Sequence, residues 1–230
     1  MFNQFDFNVI ERSWQYLFYT GMAFTLQLTL LAMTGGIVVG TLLAMARLSS
    51  FRALAAVCGA YVNLMRGIPL ILVIFWFYFL VPYIGQWLTG SEQPIKVGAF
   101  ASCLITFIMF EACYYCEIMR AGIQSISRGQ VAAGYALGLN YWQCMGDVVL
   151  PQAFRNMAPL LLTQTIVLFQ DVSLVYVLSM PDFLGAASKV AQRDGRLVEM
   201  YLFVAVVYFS MSYALSSLVK RLQGRIAIVR

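Results

Sequence analysis

The sequence has no histidine, and only 11% of its 230 residues are charged. The commonest metal ligand and general base is therefore missing. Neither H-E-x-x-H nor G-x-S-x-G occurs, so no metal site, no catalytic residue and no intramembrane enzyme is expected. There is no G-x-x-x-x-G-K-[ST] loop and no Gly-Lys pair at all. The chain lacks the backbone cradle for nucleotide phosphates, so any ATP chemistry must come from another chain. No cofactor is expected. No signal peptide is expected either, because Met1 to Arg12 holds Asp6 and Glu11 where a basic start and an apolar core would be needed. Insertion is expected through the first span itself.

What the chain does have is apolar length. Hydrophobic residues make up 61% of it, and the mean hydropathy is +0.78, outside the range of ordinary soluble domains. A helix needs about 20 residues to cross roughly 30 Å of hydrocarbon. Ser13 to Ala46, Gly67 to Ser91 and Met200 to Val219 are free of Asp, Glu, Lys and Arg. Val97 to Met119 is interrupted only by Glu111 and Glu117, and Phe154 to Ser179 only by Arg155 and Asp171. The pattern predicts an all-α integral membrane protein, one domain over 1–230, with five spans at roughly 18–46, 67–90, 97–119, 154–179 and 199–219. The five cysteines are scattered among apolar residues and read as core side chains rather than disulfides. The same holds for the C-x-x-C of Cys113 and Cys116.

Five spans put the termini on opposite sides. One arrangement gathers Arg47, Arg52, Arg66, Arg120, Arg128, Arg155, Lys220, Arg221, Arg225 and Arg230 on one face. Arg12, Lys96, Lys189, Arg193 and Arg196 remain opposite. The richer face is expected to be cytoplasmic, with the N-terminus outside. The net charge of +5 then belongs beside anionic lipid headgroups, not on nucleic acid. Ala32, Gly36, Gly40 and Ala44 recur every fourth residue as a packing seam, within the chain or between two chains. Outside, Met180 to Glu199 is polar enough to suit an aqueous face and a soluble partner.

Between the third and fourth spans, the loop 122–151 reads Gly129-Gln130-Val131-Ala132-Ala133-Gly134-Tyr135-Ala136-Leu137-Gly138. Nine residues later come Val148-Val149-Leu150-Pro151. This resembles the EAA loop of ATP-binding-cassette importer permeases, with Gly138, Val148, Leu150 and Pro151 in register. Ala132 stands where the family usually has glutamate, and Gly134 at its second alanine. Arg66-Gly67-Ile68-Pro69-Leu70 and Glu117 to Ile126 look like polar amino-acid permeases. Met109-Phe110-Glu111-Ala112 and Phe169 to Tyr176 are most similar to bacterial glutamate/aspartate importer subunits.

The resemblance implies the type I ABC importer fold with a short cytoplasmic coupling helix, in the bacterial inner membrane. It also implies two partner ATPase subunits, a second and related permease, and a periplasmic amino-acid-binding protein. Gly129, Ala132, Ala133, Gly138, Leu150 and Pro151 are the expected ATPase-coupling residues. Glutamine or arginine/histidine transport is the alternative substrate class, and an ATP-independent carrier or channel a more remote one.

The polar residues inside the spans are candidates for the substrate path. Glu111 lies about 14 Å along its helix from Arg120, near mid-membrane. It either lines the path or pins two helices together. Asp171, beside Gln170 and Ser173, lies about 24 Å beyond Arg155 and either faces the path or makes an interhelical bond. Arg66 either steers a carboxylate or marks the cytoplasmic boundary. Glu117 and Arg120 are spaced to pair on one helix. Two acids in the path would repel a dicarboxylate unless protonated or turned away.

Overall fold

The computed structural model describes residues 6–226. Arg230, counted above on the basic face, lies outside them, as does the side chain of Arg225. Among the described residues there are eight helices and no strand. Five are long and apolar enough to cross a membrane: α1 (Asn8–Arg47), α3 (Leu70–Thr89), α4 (Ala99–Gln124), α6 (Tyr141–Leu178) and α8 (from Leu197). The shorter ones are α2 (Arg52–Arg66), α5 (Arg128–Ala136) and α7 (Phe183–Asp194).

Several spans outrun the expected boundaries. Helical hydrogen bonds are satisfied within the segment, so a helix continues past the apolar run as long as its side chains suit the new surroundings. Thus α6 begins at Tyr141, capped by Asn140, whose side chain accepts from the Gln143 N–H. Wide π-turns at Trp76–Leu80 and Cys144–Val149 immediately precede Pro82 and Pro151. A proline clashes with the carbonyl four residues back, and a local wide turn absorbs it without breaking the span.

The core is built around the contact of α1 with α4. Ala32 and Ala44 are fully buried, and Gly36 and Gly40 are buried between them. A Cβ on Gly36 would lie 3.0 Å from the Tyr115 ring, so the small-residue seam is an intramolecular one. α2, α3 and α6 pack onto this pair through Val62, Val73, Ile74, Phe107, Phe110 and Leu168.

A second core joins the start of α1 to α7 and α8 through Leu17, Phe183, Ala186, Val190 and Met200. Within Met180 to Glu199, expected to offer an aqueous face, one side is thus buried. Phe183, Ala186, Ala187, Val190 and Ala191 repeat at helical spacing and are buried, while Lys189, Gln192 and Arg193 stay exposed on the other side. Asp182 caps α7, accepting from Leu184 N at 3.0 Å and Gly185 N at 3.2 Å. The Phe183 N–H donates to Thr25 Oγ1 of α1 at 2.9 Å. Residues 48–66, between the first two expected spans, are mostly α2. Its Cys58, Val62 and Met65 are buried at helical spacing. All five cysteines are free and buried, as core residues.

Candidate functional site

Two polar bridges join α4 to α6 inside the apolar layer. Glu111 is fully buried and accepts from Gln164 Nε2 at 3.0 Å. Its other oxygen, Oε1, has no hydrogen-bond partner among the described residues. One turn along α4, the Tyr115 hydroxyl lies 2.9 Å from Thr165 Oγ1. Leaving a carboxylate oxygen unpaired in a packed interior is costly.

Asp171 is half-buried where α6 tightens into a 3₁₀ turn at Val172–Leu178. It follows Gln164 by two turns on the same helix face, about 10 Å away. Its carboxylate makes no hydrogen bond or ion pair among the described residues. Gln170 points elsewhere and donates to Ser212 Oγ of α8 at 2.9 Å. Ser173 is half-buried in the 3₁₀ turn. The structure therefore brings Glu111, Gln164 and Asp171 along one seam, while Gln170 ties α6 to α8.

Arg66 does not join that seam directly. Its guanidinium stacks 5.3 Å over the Tyr114 ring and lies 3.5 Å from Glu117 Oε1. Glu117 also pairs with Arg47 of α1 and with Arg120 at 2.8 Å. The expected Glu117–Arg120 pair is present, but within a larger cluster: three cations from α1, α2 and α4 surround one carboxylate. Each pair is partly exposed, so none contributes more than about 1 kcal/mol alone. Together they hold three helix ends in register.

Outside the spans, α5 stands between α4 and α6. Ser127 at its start has extended backbone, and Gly138 just beyond its end has φ 84. That left-handed turn suits glycine, and Leu139 N closes it onto Gly134 O at 3.2 Å. Gly129, Ala132, Ala133 and Pro151 are exposed, and Leu150 is half-buried. Gly134 is buried, and a Cβ there would lie 3.1 Å from Cys144 Sγ. The departure from alanine at this position thus fits close packing of α5 on α6. Gln130 Oε1 accepts from Gln152 Nε2 and fastens the same joint. Tyr135, Leu137 (84% exposed), Tyr141 and Trp142 form an open apolar surface around it.

Sequence reasoning did not single out Gln164, Tyr115, Thr165 or Arg47. Gln164 carried a readable signal, an amide inside an apolar run. The Arg47–Glu117 pair joins residues 70 positions apart and has no local signature.

Residues 36–228 match the family described as binding-protein-dependent transport system inner membrane component. The glutamate/aspartate import permease protein GltK of Escherichia coli is 51% identical over 224 residues, covering 97% of this chain and 99% of that one. A probable glutamine ABC transporter permease protein GlnP of Bacillus subtilis is 33% identical and covers 83% of each chain. Among solved structures, a crystal structure of an amino acid ABC transporter with histidines superposes with a TM-score of 0.80 at 29% identity, covering 96% of this chain and 98% of its own. With five apolar spans, a capped helix exposed between two of them and a match over most of its length, the chain belongs to the family of inner-membrane components of binding-protein-dependent transport systems.

Proposed function

We propose that this chain is the permease subunit of an ATP-driven importer of glutamate and aspartate, forming one transmembrane domain over 1–230. The observation that carries the reading is α5, closed by Gly138, with Leu137 and Trp142 exposed beside it. A short helix held between two spans is suited to seat in a cleft on a soluble subunit and pass its movement to both. The ATP-hydrolysing chains, two in number, bind there. A related second permease completes the path, and a periplasmic binding protein delivers the amino acid. The distribution of Lys and Arg supports a periplasmic N-terminus and a cytoplasmic C-terminus.

The dicarboxylate assignment rests on the 51% identity to GltK. Glu111, Gln164 and Asp171 line the path on the α4–α6 seam, with Ser173 at its end. Arg66 and its neighbours around Glu117 supply positive charge towards the other end. The test is ATP-driven uptake of radiolabelled glutamate, aspartate, glutamine and arginine by liposomes holding the assembled complex. Preference for the two dicarboxylates supports the reading. Preference for arginine overturns it and makes Glu111 and Asp171 ligands of a cation.

A further inference from the structure

Three spans turn one face each towards a common groove of about 700 Å³: Leu26 to Met33 on α1, Leu162 to Phe169 on α6 and Leu215 to Leu222 on α8. On every helix the lining residues repeat at i, i+3, i+4 and i+7, so each wall is a true helix face, about 10 Å long. The two hydroxyls in the walls are already used. Thr29 donates to Thr25 O at 2.7 Å, and Thr165 donates to Leu161 O at 2.9 Å. The remaining polar group of the lining is Arg221. It is exposed, near the C-terminal end of α8, and makes no ion pair or hydrogen bond among the described residues.

The groove is therefore apolar along its length and cationic at one end. Ser212 is held against Gln170, and Arg221 lies nine residues further along α8, about 14 Å nearer the membrane surface. In a bilayer acyl chains can fill such a groove, and a guanidinium just beyond the expected end of the span lies at the level of the headgroup phosphates.

We propose that this groove binds an anionic phospholipid, with an acyl chain against α1, α6 and α8 and the headgroup phosphate on Arg221. The charge selects the occupant. A zwitterionic lipid matches the apolar walls equally but brings its own cation to the guanidinium. A helix of a second subunit would have to place an acid at this one point. The lipid would brace α8 against α6 where only the Gln170–Ser212 hydrogen bond joins their polar atoms among those described.

The test uses the complex purified with this chain from membranes, with phosphatidylglycerol or phosphatidylcholine of equal chain length added and bound lipid counted by native mass spectrometry. Phosphatidylglycerol should be retained about fivefold more strongly, the factor expected for one basic contact at the surface. Arg221→Gln should remove that preference. Lys220→Gln, outside the groove lining, should leave most of it, and Leu218→Trp, which fills the groove, should lower retention of both lipids. Equal retention of the two lipids would overturn the proposal. So would a preference unchanged in Arg221→Gln, or an equal loss in Lys220→Gln, which would assign it to general surface charge. Cross-linking of a photoreactive residue at 218 to a protein subunit instead of lipid would also overturn it. None of these outcomes bears on which amino acid is imported.

Discussion

Gly40 of α1 and Tyr115 of α4 meet so closely that a Cβ on Gly40 would lie 2.8 Å from the Tyr115 Cβ. The Ala112 carbonyl oxygen would be equally near, at 2.8 Å. Neither atom can move without shifting α4. Gly40→Ala is therefore expected to cost about 1–3 kcal/mol, as overpacking does in a filled interior. Gly35→Ala meets only side-chain atoms of Ile108 and no backbone, so its cost should be smaller. Thermal unfolding of the two variants in detergent separates these cases, and equal losses would contradict the close approach of α1 and α4.

Glu117 is shared by Arg47, Arg66 and Arg120. Glu117→Gln leaves three cations facing one another and should destabilise by about 2 kcal/mol, the cost of stranding charged donors. Arg66→Gln, which removes the longest of the three contacts, should change stability by less than about 1 kcal/mol. Unfolding midpoints of both variants at low and high salt would check this. The Glu117→Gln penalty should shrink as salt screens the stranded arginines.

Burial pushes the Asp182 carboxyl up to about 7 from its ordinary 3.8, although its cap bonds and Lys189 favour the charged form. The folded value lies above the unfolded one. The contribution of neutral Asp182 is thus complete below pH 3.8 and is lost as pH rises through about 7. Attachment of α7 should weaken over that window. Asp182→Asn caps equally well without ionising and should flatten the dependence. Hydrogen exchange of the α7 amides across the same range, corrected for intrinsic rates, tests it. A wild-type profile that stays flat would contradict the assignment.

At Gly138, φ 84 disfavours any side chain by about 1–2 kcal/mol. Gly138→Ala should leave membrane insertion unchanged and lower ATP-coupled uptake. Ala132→Glu, at an exposed position, should fold normally and restore the charge usual in related loops. Uptake assays on both variants, with membrane content quantified by blotting, would decide.

The spans were legible because a charge-free run of membrane length is at home in few settings besides a bilayer. Gly138 was legible because a glycine just past a short helix has a specific backbone use. The small-residue stripe was readable as a seam, but whether it faced α4 or another chain was not, since helix geometry gives the face and not the neighbour. α7 was hidden because its charges drew attention away from five buried residues at helical spacing. α2 was passed over because no apolar run of span length marks it among the arginines at 47, 52 and 66. Two of them, Arg47 and Arg66, turn inward to Glu117. Long-range pairs such as Glu111 with Gln164 depend on which helices lie side by side, which no local pattern encodes.

The central claim is that α5 passes ATP-driven movement to the spans. Its most direct test is uptake of radiolabelled glutamate by liposomes holding the assembled complex, with wild type and Leu137→Asp compared in the presence and absence of ATP. Leu137 is 84% exposed, so the substitution should leave the fold intact. The account predicts ATP-dependent uptake by wild type and its loss in Leu137→Asp, with the ATPase no longer copurifying. Full uptake by the variant, or wild-type uptake that needs no ATP, would contradict it.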